Sequence, residues 1–158
     1  MNEAAGKVAA TAAFDWLARA QAAPQQAHRE WAEAGFALLP LGSRFNCVLL
    51  PGRLVREAAG TTDHEAVTAM LAELLDGPVI YNSAQHAYYA LVEPVDRWEY
   101  RSVAAMLGDG AYLTVPASDM RGPVGLHWAV PPREPGDLCG IEGVAALLES
   151  ARRPGRLR

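Results

Sequence analysis

The sequence contains few cysteines and no long hydrophobic run. Its two cysteines, Cys47 and Cys139, lie far apart, whereas a structural zinc site needs four ligands in closely spaced pairs. We therefore expect two buried free thiols, with neither a metal site nor a disulfide framework. No apolar segment approaches the roughly 20 residues that cross a bilayer. Asp15 and Arg19 interrupt the alanine-rich start, which does not have the pattern of a signal peptide. These absences predict a cytoplasmic protein with no membrane role.

Basic residues are scarce relative to acidic ones. The 14 lysines and arginines are outnumbered by 18 aspartates and glutamates, so the net charge is -4 and the pI is about 5.5. A protein whose main task is to grip duplex DNA is normally basic, and this balance slightly favours a protein partner over DNA. The one dense basic segment is the tail "ARRPGRLR" at 151–158. For this tail we favour a solvated end over a nucleic-acid-binding arm.

Sequence motifs of catalysis and cofactor binding are missing as well. There is no G-x-S-x-G elbow, no G-x-x-x-x-G-K-[ST] loop and no G-x-G-x-x-G loop. The predicted strands contain almost no acids, whereas two-metal chemistry needs clustered carboxylates to neutralise the ions. We therefore predict no cofactor, no metal ligand and no catalytic residue.

The sequence does contain clear helix and strand patterns, in a chain of 158 residues that is long enough for one core. Predicted helices lie at 7–22, 24–35, 51–60, 61–77 and 141–153, and predicted strands at 36–41, 45–50, 78–81, 87–93, 111–116 and 125–132. Thr61 or Thr62 is expected to cap the helix at 61–77, because Glu65 completes a capping box with Thr62. The segments 78–81 and 87–93 predict one hairpin, and 99–107 with 111–116 a second.

These elements predict the fold class and the domain organisation. Helices segregate from a mainly antiparallel sheet, which is the α+β pattern, and we expect them to pack on one side of that sheet in a single domain. We divide the chain into an N-terminal helical extension at 1–23, an α+β domain at 24–151 and a basic tail at 152–158 that we expect to be disordered.

Several polar residues lie on or beside predicted strands. Arg44 and Asn46 are two residues apart, so on a strand they project to one face, and His86 and Tyr88 share a face in the same way. His127 is a third case. A single strand histidine is more often a structural residue than a ligand contact. A sheet face that gathers Arg, Asn, His and Tyr, however, suits an anionic ligand such as a nucleotide.

Three stretches between about residues 25 and 132 carry a family resemblance: "EWAEAGFALLPLG", "QHAYYALV", and "GDGAYLTVPAS" followed by "HW". They resemble the prim-pol domain found at the N-terminus of bifunctional DNA primase/polymerases, within the archaeo-eukaryotic primase superfamily. The resemblance implies an RRM-like sheet, with an acidic pair on one strand and a third acid on another that hold divalent metals. It also implies a histidine that contacts the incoming nucleotide. His86 matches that histidine, and Tyr112 matches the tyrosine after the glycine turn.

The acids of that family have no match in this chain. Asn46 and apolar residues stand where the acidic pair would fall, and Ala105 stands where the third acid would fall. Asp109 is close to the third position but belongs to the glycine turn, which it is expected to form. Amide and aliphatic side chains cannot hold the ions that neutralise charge in phosphoryl transfer. We therefore expect no template-directed nucleotide polymerisation.

Together these observations predict a non-catalytic, prim-pol-like binding module whose partner is a nucleotide, a nucleic acid or a protein. Arg44 and His86 are expected to contact phosphate or carboxylate, and Asn46 a polar edge of the ligand. Tyr88 is expected to offer a stacking surface, with Tyr112 as a further contact.

Two alternatives stay open at this point. A metal-dependent nucleotidyl-transferring enzyme would need Asp96, Glu99 or Asp109 to fold toward the sheet and replace the missing acids. A structural or regulatory protein would form homo-oligomers, for example a homodimer, through an exposed strand edge or the alanine-rich N-terminal helix.

Overall fold

The computed structural model describes residues 2–122 and 124–151, so the predicted tail at 152–158 lies outside the described residues. This part of the chain forms five helices and seven strands. The helices are α1 (Asn2–Ala18), α2 (Pro24–Ala34), α3 (Gly52–Ala59), α4 (His64–Leu75) and α5 (Ile141–Ala151). The strands are β1 (Phe36–Pro40), β2 (Asn46–Pro51), β3 (Val79–Asn82), β4 (Ala87–Val92), β5 (Met106–Leu107), β6 (Tyr112–Pro116) and β7 (Leu126–Val130). Within the same ranges, no helix is long and apolar enough to cross a membrane.

The strands form two antiparallel sheets. A five-stranded sheet has the order β5-β2-β4-β3-β7, and β1 pairs with β6 in a separate two-stranded sheet. β2 and β4 pair over six residues, with Asn46 opposite Val92 and Pro51 opposite Ala87. The predicted α+β class, with antiparallel sheets in a single domain, is confirmed.

The five-stranded sheet is covered on both faces. On one face, alternate residues such as Val48 and Tyr88 pack against α3, α4 and α5. On the other face, Leu91 and Trp128 pack with Phe14 of α1 and with residues of α2 and the two-stranded sheet. The rings of Phe14 and Trp128 have centroids 5.7 Å apart. The helices therefore lie on both sides of this sheet and not on one side only, because α1 and α2 supply apolar side chains to its second face.

The start of α4 corrects the predicted helix cap. Asp63 is the N-cap, and its carboxylate accepts a hydrogen bond from the N–H of Ala66, 3.0 Å away. The hydroxyl of Thr61 instead accepts from the N–H of Asp63 at 3.1 Å. A carboxylate at this position also meets the positive end of the helix dipole, which favours Asp63 over Thr61 or Thr62.

The predicted second hairpin, 99–107 with 111–116, is wrong. Only Met106–Leu107 of its first arm is a strand, and this strand pairs with β2, where Met106 lies opposite Val48. β6 pairs with β1 instead, and the indole N–H of Trp31 on α2 donates to the carbonyl of Val115 at 3.0 Å. The glycine turn between the two arms was predicted from local sequence, but it connects two different sheets.

Candidate functional site

A cleft opens at the start of β2, between that strand, β5 and the segment 95–101, and we call it the Asn46 cleft. Its volume is about 580 Å³, which lies within the range of small-ligand sites. Its lining consists of Asn46, Val95, Asp96, Arg97, Trp98, Glu99, Arg101, Met106, Gly108 and Asp109.

Asn46 is the buried polar residue of this cleft. Its side chain is 5% exposed, and its Oδ1 has no hydrogen-bond partner among the described residues. An unsatisfied buried acceptor costs about 1–3 kcal/mol in lost solvation. A ligand that brings an N–H or O–H donor to this oxygen would recover that free energy.

Gly108 keeps the backbone close to the Asn46 amide. A Cβ added to Gly108 would lie 3.1 Å from both Oδ1 and Nδ2 of Asn46, which is tighter than ordinary van der Waals contact. The carbonyl of Gly108 also accepts from the N–H of Ala111 at 2.9 Å, closing the glycine turn. The turn therefore forms one wall of the cleft without a side chain at position 108.

Charged side chains of both signs surround the Asn46 amide. Arg97 and Arg101 are exposed, and guanidinium groups bind phosphate oxygens through paired hydrogen bonds. Asp96, Glu99 and Asp109 are exposed carboxylates on the same cleft. Carboxylates accept from hydroxyl groups or bind divalent cations through oxygen.

Trp98 supplies the aromatic surface of the cleft. Its ring is half-buried, and its indole N–H donates to the carbonyl of Ala104 at 2.6 Å. The centroid of its ring lies 5.4 Å from that of Tyr100. Because these contacts fix the ring, Trp98 is a preformed surface against which an aromatic ligand can pack.

The three carboxylates do not form a metal site in this arrangement. Within residues 2–122 and 124–151, no three His, Cys, Asp or Glu side chains come close enough together to hold a metal ion. Asp96, Glu99 and Asp109 thus share a cleft but not a coordination sphere.

A second group of polar aromatic residues, which we call the His–Tyr cluster, consists of His64, Tyr81, His86, Tyr88 and His127. Tyr81 is at its centre: its hydroxyl lies 2.8 Å from Nδ1 of His86, and its ring stacks on Tyr88 with centroids 4.3 Å apart. The rings of His64 and His127 lie 5.9 and 5.7 Å from that of Tyr81. Three of the four histidines therefore surround one tyrosine.

His86 lies in the β3–β4 turn, with a φ of 51°, so the strand alternation that was expected to place it on one face with Tyr88 does not apply. Its half-buried ring packs on Gly52, where an added Cβ would lie 2.3 Å from Nε2. Burial, together with the positive charge of Arg56, lowers the pKa of His86. The neutral ring is therefore favoured near pH 7, which weakens the predicted role of His86 as a cationic phosphate contact.

Tyr88 is only 2% exposed. Its ring already stacks on Tyr81, and burial raises its pKa to about 12. Tyr88 therefore does not offer the expected stacking surface, because its ring has no face open to a ligand.

The predicted site residues do not meet in one place. Asn46 is the first residue of β2 and Tyr88 the second of β4, so antiparallel pairing places them at opposite ends of the strand pair. Arg44 lies exposed in a bend before β2, where the alternation of strand side chains does not apply. Tyr112 is 60% exposed on β6, in the other sheet. Only Asn46 lies in the cleft described above.

Sequence reasoning missed two aromatic residues of these sites. Trp98 lies in an irregular segment whose position no local pattern indicates. Tyr81 is predicted only as a strand residue, although the predicted hairpin indicates its cross-strand partner. A turn at 83–86 places Tyr81 opposite Tyr88, which is the register observed.

No match to this chain was found among protein-family models, curated proteins or solved structures. The prim-pol resemblance therefore stays a prediction from the sequence motifs.

Proposed function

We propose that this chain is a non-catalytic nucleotide-binding module of prim-pol-like descent, and that the nucleotide occupies the Asn46 cleft. The observation that carries the proposal is the buried, unpartnered Oδ1 of Asn46 in a cleft of about 580 Å³. Nucleobases present N–H donors along their edges, and asparagine is well suited to pair with such an edge. The base would supply the donor that this oxygen lacks.

The rest of the lining suits the other parts of a nucleotide. Trp98 can pack against the base, and base–aromatic stacking contributes about 1–3 kcal/mol. Arg97 and Arg101 can contact the phosphates. The carboxylates of Asp96 and Glu99 can accept from the ribose hydroxyls, or meet a divalent cation that accompanies the phosphates.

The position of β5 supports descent from a prim-pol domain. Met106 of β5 lies opposite Val48 of β2, and the N–H of Leu49 donates to the carbonyl of Ala105 at 2.8 Å. The segments that would carry the family's acids, around Asn46 and Ala105, are thus side by side. With an amide at position 46 and a methyl group at position 105, these segments lack the charge that holds two metal ions.

The proposal is tested by thermal-shift measurements with each ribonucleoside triphosphate, in EDTA and with Mg²⁺. At least one nucleotide should raise the Tm of the wild type, because a ligand that binds only the folded state stabilises it. At a fixed nucleotide concentration the shift should be smaller in Asn46→Leu, which removes the amide while keeping similar volume. His86→Ala is the matched control: His86 lies outside the cleft, so this variant should keep its shift relative to its own baseline. The proposal fails if no nucleotide raises the Tm, or if His86→Ala loses the shift and Asn46→Leu keeps it.

A second candidate, metal-dependent nucleotidyl transfer, is favoured by the three carboxylates that line the same cleft. If these acids gather around ions when a nucleotide binds, Mn²⁺ should raise the Tm in a manner that Asp96→Asn, Glu99→Gln or Asp109→Asn abolishes. The wild type should then extend a primed DNA template. Nucleotide binding without any template extension favours the binding module.

A further inference from the structure

The wall of the Asn46 cleft is joined to the end of α5 by a hydrogen bond. The hydroxyl of Tyr100 donates to Oε2 of Glu149 at 2.8 Å. The chain neighbours of Tyr100, Glu99 and Arg101, both line the cleft. Glu149 belongs to the last turn of α5, which ends at Ala151. The chain therefore leaves α5 beside one wall of the cleft.

The residues that follow α5 form the basic tail at 152–158. Its seven residues, "RRPGRLR", include no acid. Its four arginines are Arg152, Arg153, Arg156 and Arg158. Seven residues can span up to about 23 Å. Because the contact of Tyr100 with Glu149 joins the end of α5 to the cleft wall directly, a span of this length brings the arginines within reach of the cleft.

The described lining of the Asn46 cleft is short of positive charge for a polyphosphate. Its two arginines, Arg97 and Arg101, are outnumbered by its three carboxylates, so its formal charge is -1. A phosphate monoester carries about -1.5 to -2 charges near pH 7. The carboxylates of the lining repel such a group and oppose the attraction of the arginines. A triphosphate in this cleft therefore needs further positive charge, from a cation or from another part of the chain.

The arginines of the basic tail have the charge and the geometry that phosphates require. A guanidinium group stays protonated and binds phosphate oxygens through paired hydrogen bonds. Four such groups beside a lining of -1 give a formal charge of +3 around the triphosphate. Asp96, Glu99 and Asp109 on the rim also attract these arginines. Proximity and charge complementarity thus both favour this cleft as the place where the tail acts.

We propose that the basic tail completes the nucleotide site, and that its arginines bind the phosphates of a ribonucleoside triphosphate whose base lies in the Asn46 cleft. This proposal rests on the nucleotide-binding function proposed above and extends it to residues beyond α5. Asn46 and Trp98 contact the base, whereas the tail contacts phosphate. Loss of the tail arginines therefore weakens the binding of triphosphates more than that of monophosphates.

The test measures the Kd of each ribonucleoside triphosphate and of its monophosphate by isothermal titration calorimetry, in EDTA so that no divalent cation supplies the charge. The main variant changes the four tail arginines to glutamine in the full chain. It should bind the triphosphate about tenfold more weakly than the wild type and the monophosphate by a smaller factor. A variant with four lysines should recover most of the lost affinity, because it restores the charge.

A matched control removes the same number of positive charges from the fold. It changes four exposed arginines that do not line the cleft to glutamine, namely Arg19, Arg29, Arg53 and Arg56. This variant should bind the triphosphate as the wild type does. Raising the salt concentration should weaken triphosphate binding more in the wild type than in the tail variant, because salt screens exposed charges. A chain ending at Ala151 should behave as the four-glutamine variant does.

Four results would overturn the proposal. If the tail variant keeps the wild-type Kd while Asn46→Leu binds more weakly, the tail makes no phosphate contact although the cleft binds nucleotide. Tighter triphosphate binding by the tail variant would mean that the tail competes with the nucleotide for the carboxylates. An equal loss for monophosphate and triphosphate, or an equal loss in the matched control, would rule out a contact with the added phosphates. If no nucleotide binds the wild type, this proposal and the proposed function fail together.

Discussion

Gly108 and Asn46 are in contact across the turn that walls the Asn46 cleft, and a Cβ on residue 108 would lie 3.1 Å from both terminal atoms of the Asn46 amide. The absence of a side chain at position 108 is therefore tied to the orientation of the one buried amide in the cleft. A substitution at Gly108 therefore tests the proposed site through a single contact.

Gly108→Ala should weaken nucleotide binding by about tenfold, which corresponds to about 1.4 kcal/mol or one neutral hydrogen bond. The new methyl group must displace the Asn46 amide by a few tenths of an ångström. Isothermal titration calorimetry with the nucleotide that gives the largest thermal shift measures the change. Gly140→Ala is the control, since a Cβ at Gly140 has no atom within 4 Å. An unchanged Kd in Gly108→Ala would contradict the role assigned to this contact.

Gly52→Ala should destabilise the fold through His86. A Cβ at Gly52 would lie 2.3 Å from ring atoms of His86, and overpacking of this kind costs about 1–3 kcal/mol. Urea denaturation of both single variants and the double variant completes a mutant cycle. In the His86→Ala background, Gly52→Ala should cost almost nothing because the clash is gone. Additive effects in the cycle would mean that the ring and the glycine do not constrain each other.

Stability should fall as the pH decreases below about 6.5, the ordinary pKa of histidine. Burial lowers the pKa of His86 and of His127 in the folded state, and Arg56 and His64 add smaller effects in the same direction. The unfolded chain therefore binds more protons in this window, so acid favours unfolding.

Urea denaturation between about pH 5 and 7 measures this dependence. His127→Gln should flatten it, whereas Thr62→Val, an exposed change that removes no titratable group, should retain it. A profile in His127→Gln as steep as that of the wild type would show that His127 does not contribute.

Neither cysteine should react with a thiol reagent in the native protein. Both are buried, and burial raises the pKa of Cys47 to about 12 and raises that of Cys139 as well. The thiolate is the reactive form, so little of it is present near pH 8. Colorimetric titration with an aromatic disulfide should detect both thiols only after unfolding. Rapid modification of the native protein would show that one of the two sites opens.

The sequence alone was sufficient for the local elements. Apolar residues such as Val67, Leu71 and Leu75 follow the helical repeat and are buried in α4, and the β3–β4 hairpin follows from two β-rich runs around a short turn. Both patterns are local: the apolar repeat of α4 extends over a few helical turns, and the hairpin depends on a few residues around its turn. The α+β class follows from the order of such elements.

Long-range pairing could not be predicted in the same way. β6 pairs with β1, more than 70 residues earlier in the chain. Nothing in the glycine turn before β6 indicates which strand β6 pairs with. The Asn46 cleft depends on the path of 95–101, an irregular segment stabilised by contacts such as that of Trp98 with Ala104. Asn46 was predicted as a site residue from the polar residues of the strand, and Asp96, Glu99 and Asp109 only as the acids of the alternative enzyme. The other charged and aromatic residues of the cleft, Arg97, Trp98 and Arg101, were not predicted.

The nucleotide site is tested most directly by following the side-chain amide signal of Asn46 by NMR during titration with each ribonucleoside triphosphate. The signal is assigned by its absence in Asn46→Leu. At least one nucleotide should shift this signal in a saturable manner, and Asn46→Leu should bind the same nucleotide about tenfold more weakly. If nucleotides bind without moving the Asn46 signal, or if none binds, the Asn46 cleft is not a nucleotide site.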